Sequence, residues 1–160
     1  RLKILDEHGY GLPDSQAVID TLDPMEGAKE FVEWARENFQ LIILSDTFYE
    51  FAKPLMKKLG WPTLFRHRLV VDEKGRITDY KLRQKDPKRA SVIAFHSLSY
   101  RVISAGDSYN DTTMLGEAEQ GILFPAPDNV IAEFPQFPAV HSYDDLKKEI
   151  IKASERDIPL

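Results

Sequence analysis

A chain of 160 residues with 42% hydrophobic side chains can bury one substantial core and is short for two. Lys and Arg number 21 against 26 Asp and Glu, and a net charge of −5 offers no general attraction to a phosphate backbone, which argues against nucleic acid as a partner. There is no Cys, so disulfide scaffolds, thiolate zinc sites and cysteine catalysis are excluded, and the longest strongly apolar run (41–44) is far short of the roughly 20 residues that span a bilayer. With no signal peptide in view, the expectation is a soluble, cytoplasmic domain with no membrane partner.

The chain opens on Arg1 rather than Met, in a stretch that reads as a helix already under way, as a fragment would. Residues 1–8 form that short helix, closed by Gly9 and Gly11, and Asp14 is placed to cap a second ending near Leu22. After the loop 23–27, an amphipathic helix carries Ala28, Phe31, Val32, Ala35 and Phe39 on one face. Residues 40–44 read as a buried strand. The next helix presents Phe48, Phe51, Ala52, Leu55 and Leu59, stops at Gly60-Trp61-Pro62, and either kinks at Pro54 or starts late. Residues 69–72 and 77–82 flank Glu73-Lys74-Gly75 as a hairpin. Pro87 suits the first turn of a helix over 87–98. A buried strand at 101–105, a short helix at 112–118 and a strand at 122–124 follow. A Pro-rich loop, a helical turn at 130–134, the pair Ala139-Val140 and a last helix over 143–154 complete the chain. Helices alternating with buried strands predict a doubly wound parallel α/β sheet over 23–160, with residues 1–22 as the remnant of a small helical cap.

Ligands of such sheets bind at the carboxyl ends of strands. Two predicted strands end in polar clusters, Ser45-Asp46-Thr47 and Gly106-Asp107-Ser108-Tyr109-Asn110-Asp111. Plain helix capping by Ser45, Asp46, Asn110 or Asp111 accounts for either cluster equally well. The second cluster holds more chemistry, because Asp107, Asn110 and Asp111 put three hard oxygen donors in one turn, a set suited to Mg²⁺. Gly106 lets the backbone turn sharply and approach a ligand. Most of the basic stretch Lys81, Arg83, Lys85, Lys88 and Arg89 reads as solvated surface. Lys88, beside Pro87 at a helix start, is the residue placed to meet a phosphate oxygen. The four His lie far apart without ligand spacing, Gly9-Tyr10-Gly11 follows no strand, and the aromatics of 133–138 suit loop packing.

A Ser after one strand, a Lys opening a helix, then Gly-Asp-x-x-x-Asp after another strand resembles the haloacid dehalogenase superfamily of phosphatases. Ser45 in "LIILSDTF" looks like its second motif. Lys88 in "QKDPKRA" looks like the third, with Lys85 as runner-up, and Asp107, Asn110 and Asp111 in "AGDSYNDTTML" look like the fourth. The spellings Ser45-Asp46-Thr47-Phe48 and Gly106-Asp107-Ser108, with "RQKDPKR" and "EFPQFPAV", resemble the phosphoserine phosphatases described as also transferring phosphate to homoserine. The resemblance implies Mg²⁺ held by Asp107 with Asp111, phosphoryl oxygens bound by Ser45 and Lys88, and substrate contacts from Asp46 and Asn110. Arg1 fits the family's cap arginine that holds the substrate carboxylate. It also implies an aspartyl-phosphate route to a small phosphomonoester.

The family's first motif, a strand ending in Asp-x-Asp or Asp-x-Glu, has no counterpart in these 160 residues. It is expected upstream of Arg1, and the chain alone is expected to be inactive. Two other readings stand beside this one: a phosphate- and Mg²⁺-binding module without catalysis, and a phospho-receiver regulatory domain. The sequence leaves the oligomeric state open.

Overall fold

The three-dimensional structure is a computed structural model, and it describes residue 17 and residues 20–74, 77–81 and 85–160. The expected cap segment 1–22 therefore lies almost wholly outside the described residues. The chain packs as two units, Arg1–Lys85 and Asp86–Leu160.

In the first unit, helix α1 (Ala28–Asn38) follows Gly27, whose left-handed backbone turns the chain into the helix. Its buried residues are Ala28, Val32, Trp34 and Ala35. Trp34 was not part of the expected face. Phe31 and Phe39 lie 5.9 and 5.8 Å from its ring, so the apolar stripe is widened by an aromatic group.

Strand β1 (Ile42–Phe48) begins later than the sequence suggested and continues through Ser45, Asp46 and Thr47. It pairs in parallel with β2 (Thr63–Val71) from Ile42 to Leu44, loses register, and resumes at Phe48 opposite His67. The polar cluster therefore occupies an irregular part of a strand, not a loop beyond it. Helix α2 (Tyr49–Lys58) has Pro54 in its interior and buries Ala52 and Met56. It closes as expected at Gly60: the Gly60 N–H bonds the Lys57 carbonyl and the Trp61 N–H bonds that of Met56, the Schellman pattern.

Strand β2 starts six residues before the predicted 69; Arg66, His67 and Arg68 interrupt the apolar run and hide its first part from pattern reading. As the middle strand of β1-β2-β3, it buries Arg66 and His67 nonetheless. Strand β3 (Ile77–Lys81) pairs antiparallel with it, giving the expected hairpin.

In the second unit, helix α3 (Pro87–Ser97) leads to β4 (Ile103–Gly106). A single 3₁₀ turn (Tyr109–Asp111) follows, then α4 (Thr112–Glu117) and β5 (Gln120–Leu123). Helices α5 (Asp128–Glu133) and α6 (Tyr143–Ser154) complete the unit. Strands β4 and β5 run parallel from Ile103 opposite Gln120 to Gly106 opposite Leu123, with one further bridge from Leu123 to Ala139. The core is Val92, Leu115, Ile122, Leu123, Val130 and Leu146, each at most 2% exposed. Among the described residues no helix is long and apolar enough to cross a membrane.

Gly121 has a packing reason to be glycine. A Cβ there would lie 2.5 Å from the backbone oxygen of Leu115, an atom that cannot swing aside. Gly121→Ala should lower the unfolding free energy by about 1–3 kcal/mol through overpacking. Leu115→Ala, at 1% exposure, should cost about 2–5 kcal/mol through a cavity. Ile93→Ala, on a side chain 47% exposed, should stay within about 0.5 kcal/mol. Urea unfolding of the three variants checks this order.

Candidate active site

The second unit carries a polar corner at the carboxyl end of β4, the edge at which open parallel sheets bind ligands. Strand β4 ends at Gly106, whose carbonyl is held by the Phe124 N–H at 2.8 Å. The chain then turns through Asp107 and Ser108 into the 3₁₀ turn. Ser108 and Asp111 form a capping box at the start of that turn, a Ser-x-x-Asp arrangement in which the Asp111 carboxylate accepts from the Ser108 N–H.

Asp111 is 4% exposed and divides its two oxygens between two tasks. Its Oδ2 accepts from the Asp107 N–H at 3.0 Å, the Ser108 N–H at 3.1 Å and the Ser108 hydroxyl at 3.0 Å. Its Oδ1 accepts from Lys88 Nζ at 2.6 Å. The two side chains of this ion pair are 13% and 5% exposed. Burial pushes the Asp111 pKa up, but donation and charge from Lys88, aided by the Asp107 N–H and Ser108 hydroxyl, hold it below the ordinary carboxylate value.

Lys88 reaches this position from the first turn of α3. Asp86 precedes the helix in a left-handed conformation (φ 44°), one that Asp tolerates better than most residues, and its carboxylate accepts from the Thr113 hydroxyl at 3.1 Å. Pro87 then fixes the first helical φ, and Ser91, 1% exposed, bonds the Pro87 carbonyl at 2.7 Å. Lys85, the alternative reading of the same basic stretch, is exposed.

Asp107 faces outward beside this pair. Partial burial first, and the negative charge of Asp111 second, raise its pKa above the ordinary value. A divalent cation relieves such crowding of carboxylates, so the corner fits a hard ion with Asp107 as its open oxygen donor. Among the described residues no three Asp, Glu or His side chains converge into a metal cage. One or two carboxylates completed by water and phosphate is the coordination Mg²⁺ habitually takes.

Gly106 serves a purpose other than the expected sharp turn, since its φ is not left-handed. A Cβ on it would lie 2.5 Å from Asp111 Cβ and 2.8 Å from Asp111 Oδ2, so glycine makes room for the carboxylate. Asn110 is exposed. Tyr109 packs edge-on against Phe134 at 5.9 Å. Sequence reasoning misses the role of Ser108, although the Ser-x-x-Asp spacing is a legible cap signal.

The remaining sequence-predicted residues belong to the first unit. Ser45 is half-buried on β1, and its hydroxyl shares a 2.8 Å hydrogen bond with that of Thr47. Asp46 is exposed. Neither caps α2, whose N-cap position is Phe48 without a side-chain hydrogen bond. Arg1 lies outside the described residues.

A family model described as haloacid dehalogenase-like hydrolase matches residues 10–119. A phosphoserine phosphatase of Pseudomonas syringae pv. tomato is 71% identical over all 160 residues, which cover 68% of that protein. The phosphoserine phosphatase ThrH of Pseudomonas aeruginosa is 68% identical over the same residues, which cover 78% of it. Among solved structures, an apo phosphoserine phosphatase matches with a TM-score of 0.70 at 23% identity, over 89% of this chain and 72% of that one. A phospho-aspartyl intermediate analogue of phosphoserine phosphatase matches with a TM-score of 0.72 at 20% identity, over 87% of this chain and 70% of that one. At such identities these two matches speak for the fold.

A lowered carboxylate pKa contributes stability that is present above the ordinary carboxylate value and is lost as pH falls through the folded value. Lys88→Met leaves the buried Asp111 charge uncompensated and should reduce the unfolding free energy at neutral pH by about 3 kcal/mol. The deficit should shrink as pH falls from neutral into the acid range, because burial without Lys88 lets the carboxyl take up its proton sooner in the variant than in the unsubstituted protein. Urea titrations of both proteins at neutral and acid pH check this, and a deficit unchanged by pH contradicts it.

Proposed function

This chain belongs to the haloacid dehalogenase-like hydrolases, in the phosphoserine phosphatase family, and on that premise we propose that it is a Mg²⁺-dependent phosphomonoester hydrolase acting on phosphoserine. One observation carries the reading: a largely enclosed Lys88 ammonium lies 2.6 Å from Asp111 at a strand end that also bears Asp107. Two proteins at 71% and 68% identity, each named as a phosphoserine phosphatase, supply the substrate.

Lys88 binds a phosphoryl oxygen and meets the negative charge that grows as the ester bond breaks. Asp111 holds the ammonium in place and supports the metal site, while Asn110 orients the substrate. When bound at Asp107, Mg²⁺ supplies positive charge that screens the anionic ester from an anionic nucleophile. That nucleophile is an aspartate of the protein outside these 160 residues, which contain no Asp-x-Asp or Asp-x-Glu. Its carboxylate forms a bond to phosphorus as the bond to the serine oxygen breaks, and that oxygen takes a proton from the acid/base carboxylate that the resemblance places in the same motif. Water then gives a proton back to that carboxylate and bonds to phosphorus as the aspartyl bond breaks, which releases orthophosphate and frees the nucleophile. Homoserine in place of water is the second fate that the sequence resemblance supports. Ser45 is a further phosphoryl ligand in this reading, Asp46 a substrate contact, and Arg1 the partner of the substrate carboxylate.

The test is phosphate release from phosphoserine by the full-length protein, with and without Mg²⁺. Lys88→Met should lower kcat on the order of 10²-fold or more, because it removes charge stabilisation in the transition state. Lys85→Met should leave kcat nearly unchanged, and Asp107→Asn should raise the Mg²⁺ requirement sharply. Absence of phosphoserine turnover, or greater damage from the Lys85 change, refutes the reading.

A further inference from the structure

Ser108 does two things at once in this corner. Its backbone N–H and its hydroxyl both donate to Asp111 Oδ2, at 3.1 and 3.0 Å, and the Asp107 N–H adds a third bond at 3.0 Å. The two backbone donors belong to any residue at these positions, whereas the hydroxyl belongs to Ser108 alone. A carboxylate's terminal torsion is soft, with a broad, two-fold profile, so backbone donors on one oxygen still let the plane rock. The hydroxyl is a third donor to the same oxygen, and it narrows that rocking. Narrowing it also steadies Oδ1, the atom that holds Lys88 at 2.6 Å.

We propose that Ser108 is a positioning residue for Lys88, acting through the orientation of the Asp111 carboxylate. The inference rests on the reading of Lys88 as the phosphoryl-binding lysine. Ser108 itself touches neither substrate nor metal in this account. Its backbone (φ −136°, ψ 166°) is ordinary extended conformation, which a β-branched residue also adopts. Threonine can therefore carry the same hydroxyl there, and alanine keeps the backbone while deleting it.

The experiment compares the full-length protein with its Ser108→Ala and Ser108→Thr variants, measuring kcat and KM for phosphoserine and the urea midpoint of each. Small misplacements of a catalytic group cost rate steeply, so Ser108→Ala should lower kcat on the order of 10-fold. Its KM should stay within about 2-fold, because the interaction lost is one realised in the transition state. Ser108→Thr should recover most of the rate. If Ser108→Ala turns over phosphoserine as the unsubstituted protein does, or if threonine is as damaging as alanine, the proposal is overturned. A rise in KM with kcat unchanged overturns it as well. Failure of the unsubstituted protein to hydrolyse phosphoserine is a different result, which refutes the functional reading and removes the basis of the proposal with it.

Discussion

A single buried carboxylate organises the polar corner of the second unit. A charge as enclosed as that of Asp111 is tolerable only if both oxygens are satisfied, and the chain meets this demand from two directions. The turn after β4 supplies two backbone N–H groups and the Ser108 hydroxyl to one oxygen. Helix α3 supplies Lys88 to the other. The same bonds that neutralise the charge place an ammonium group at a strand end beside a second, more open carboxylate. Gly106 belongs to this arrangement because any side chain there would occupy the space of Asp111.

Much of the second unit is legible in the sequence because its signals are local. Pro87 marks the start of α3, and 143–154 is both the predicted and the observed span of the last helix. The Ser142 side chain accepts from the Asp145 N–H there, a cap visible in the spelling. The first unit was harder to read. Strand β2 holds Arg66, His67 and Arg68, and pattern alone cannot tell that the central strand of three will bury two of them. The burial of Trp34 depends on flanking aromatic rings, which helical spacing does not specify. Ser45 to Thr47 were expected beyond a strand end, yet β1 continues through them with a loss of register opposite β2.

In the candidate site, residue types were legible and their division of labour was not. Lys88, Asp107, Asn110 and Asp111 stand out by charge and position, and Pro87 distinguishes Lys88 from Lys85 three residues earlier. That Asp111 takes Lys88 as its partner is a contact across 23 residues of sequence, fixed by the packing of α3 against α4 and not by local pattern. From sequence alone Asp111 reads as one of three oxygen donors in a single turn, with the resemblance giving it a supporting place at the metal. In the structure it is the enclosed member, and Asp107 and Asn110 are exposed. The use of Ser108 was obscured by the more conspicuous acids around it.

The dependence of Lys88 on Asp111 is most directly measured by a double-mutant cycle of Lys88→Met and Asp111→Asn, read as unfolding free energies at neutral pH. Two buried side chains that satisfy each other should show a coupling of about 0.5–3 kcal/mol, with the double variant less damaged than the sum of the single ones. Costs that add to within about 0.3–0.5 kcal/mol would mean that the two residues act independently, and the account of the site would fail.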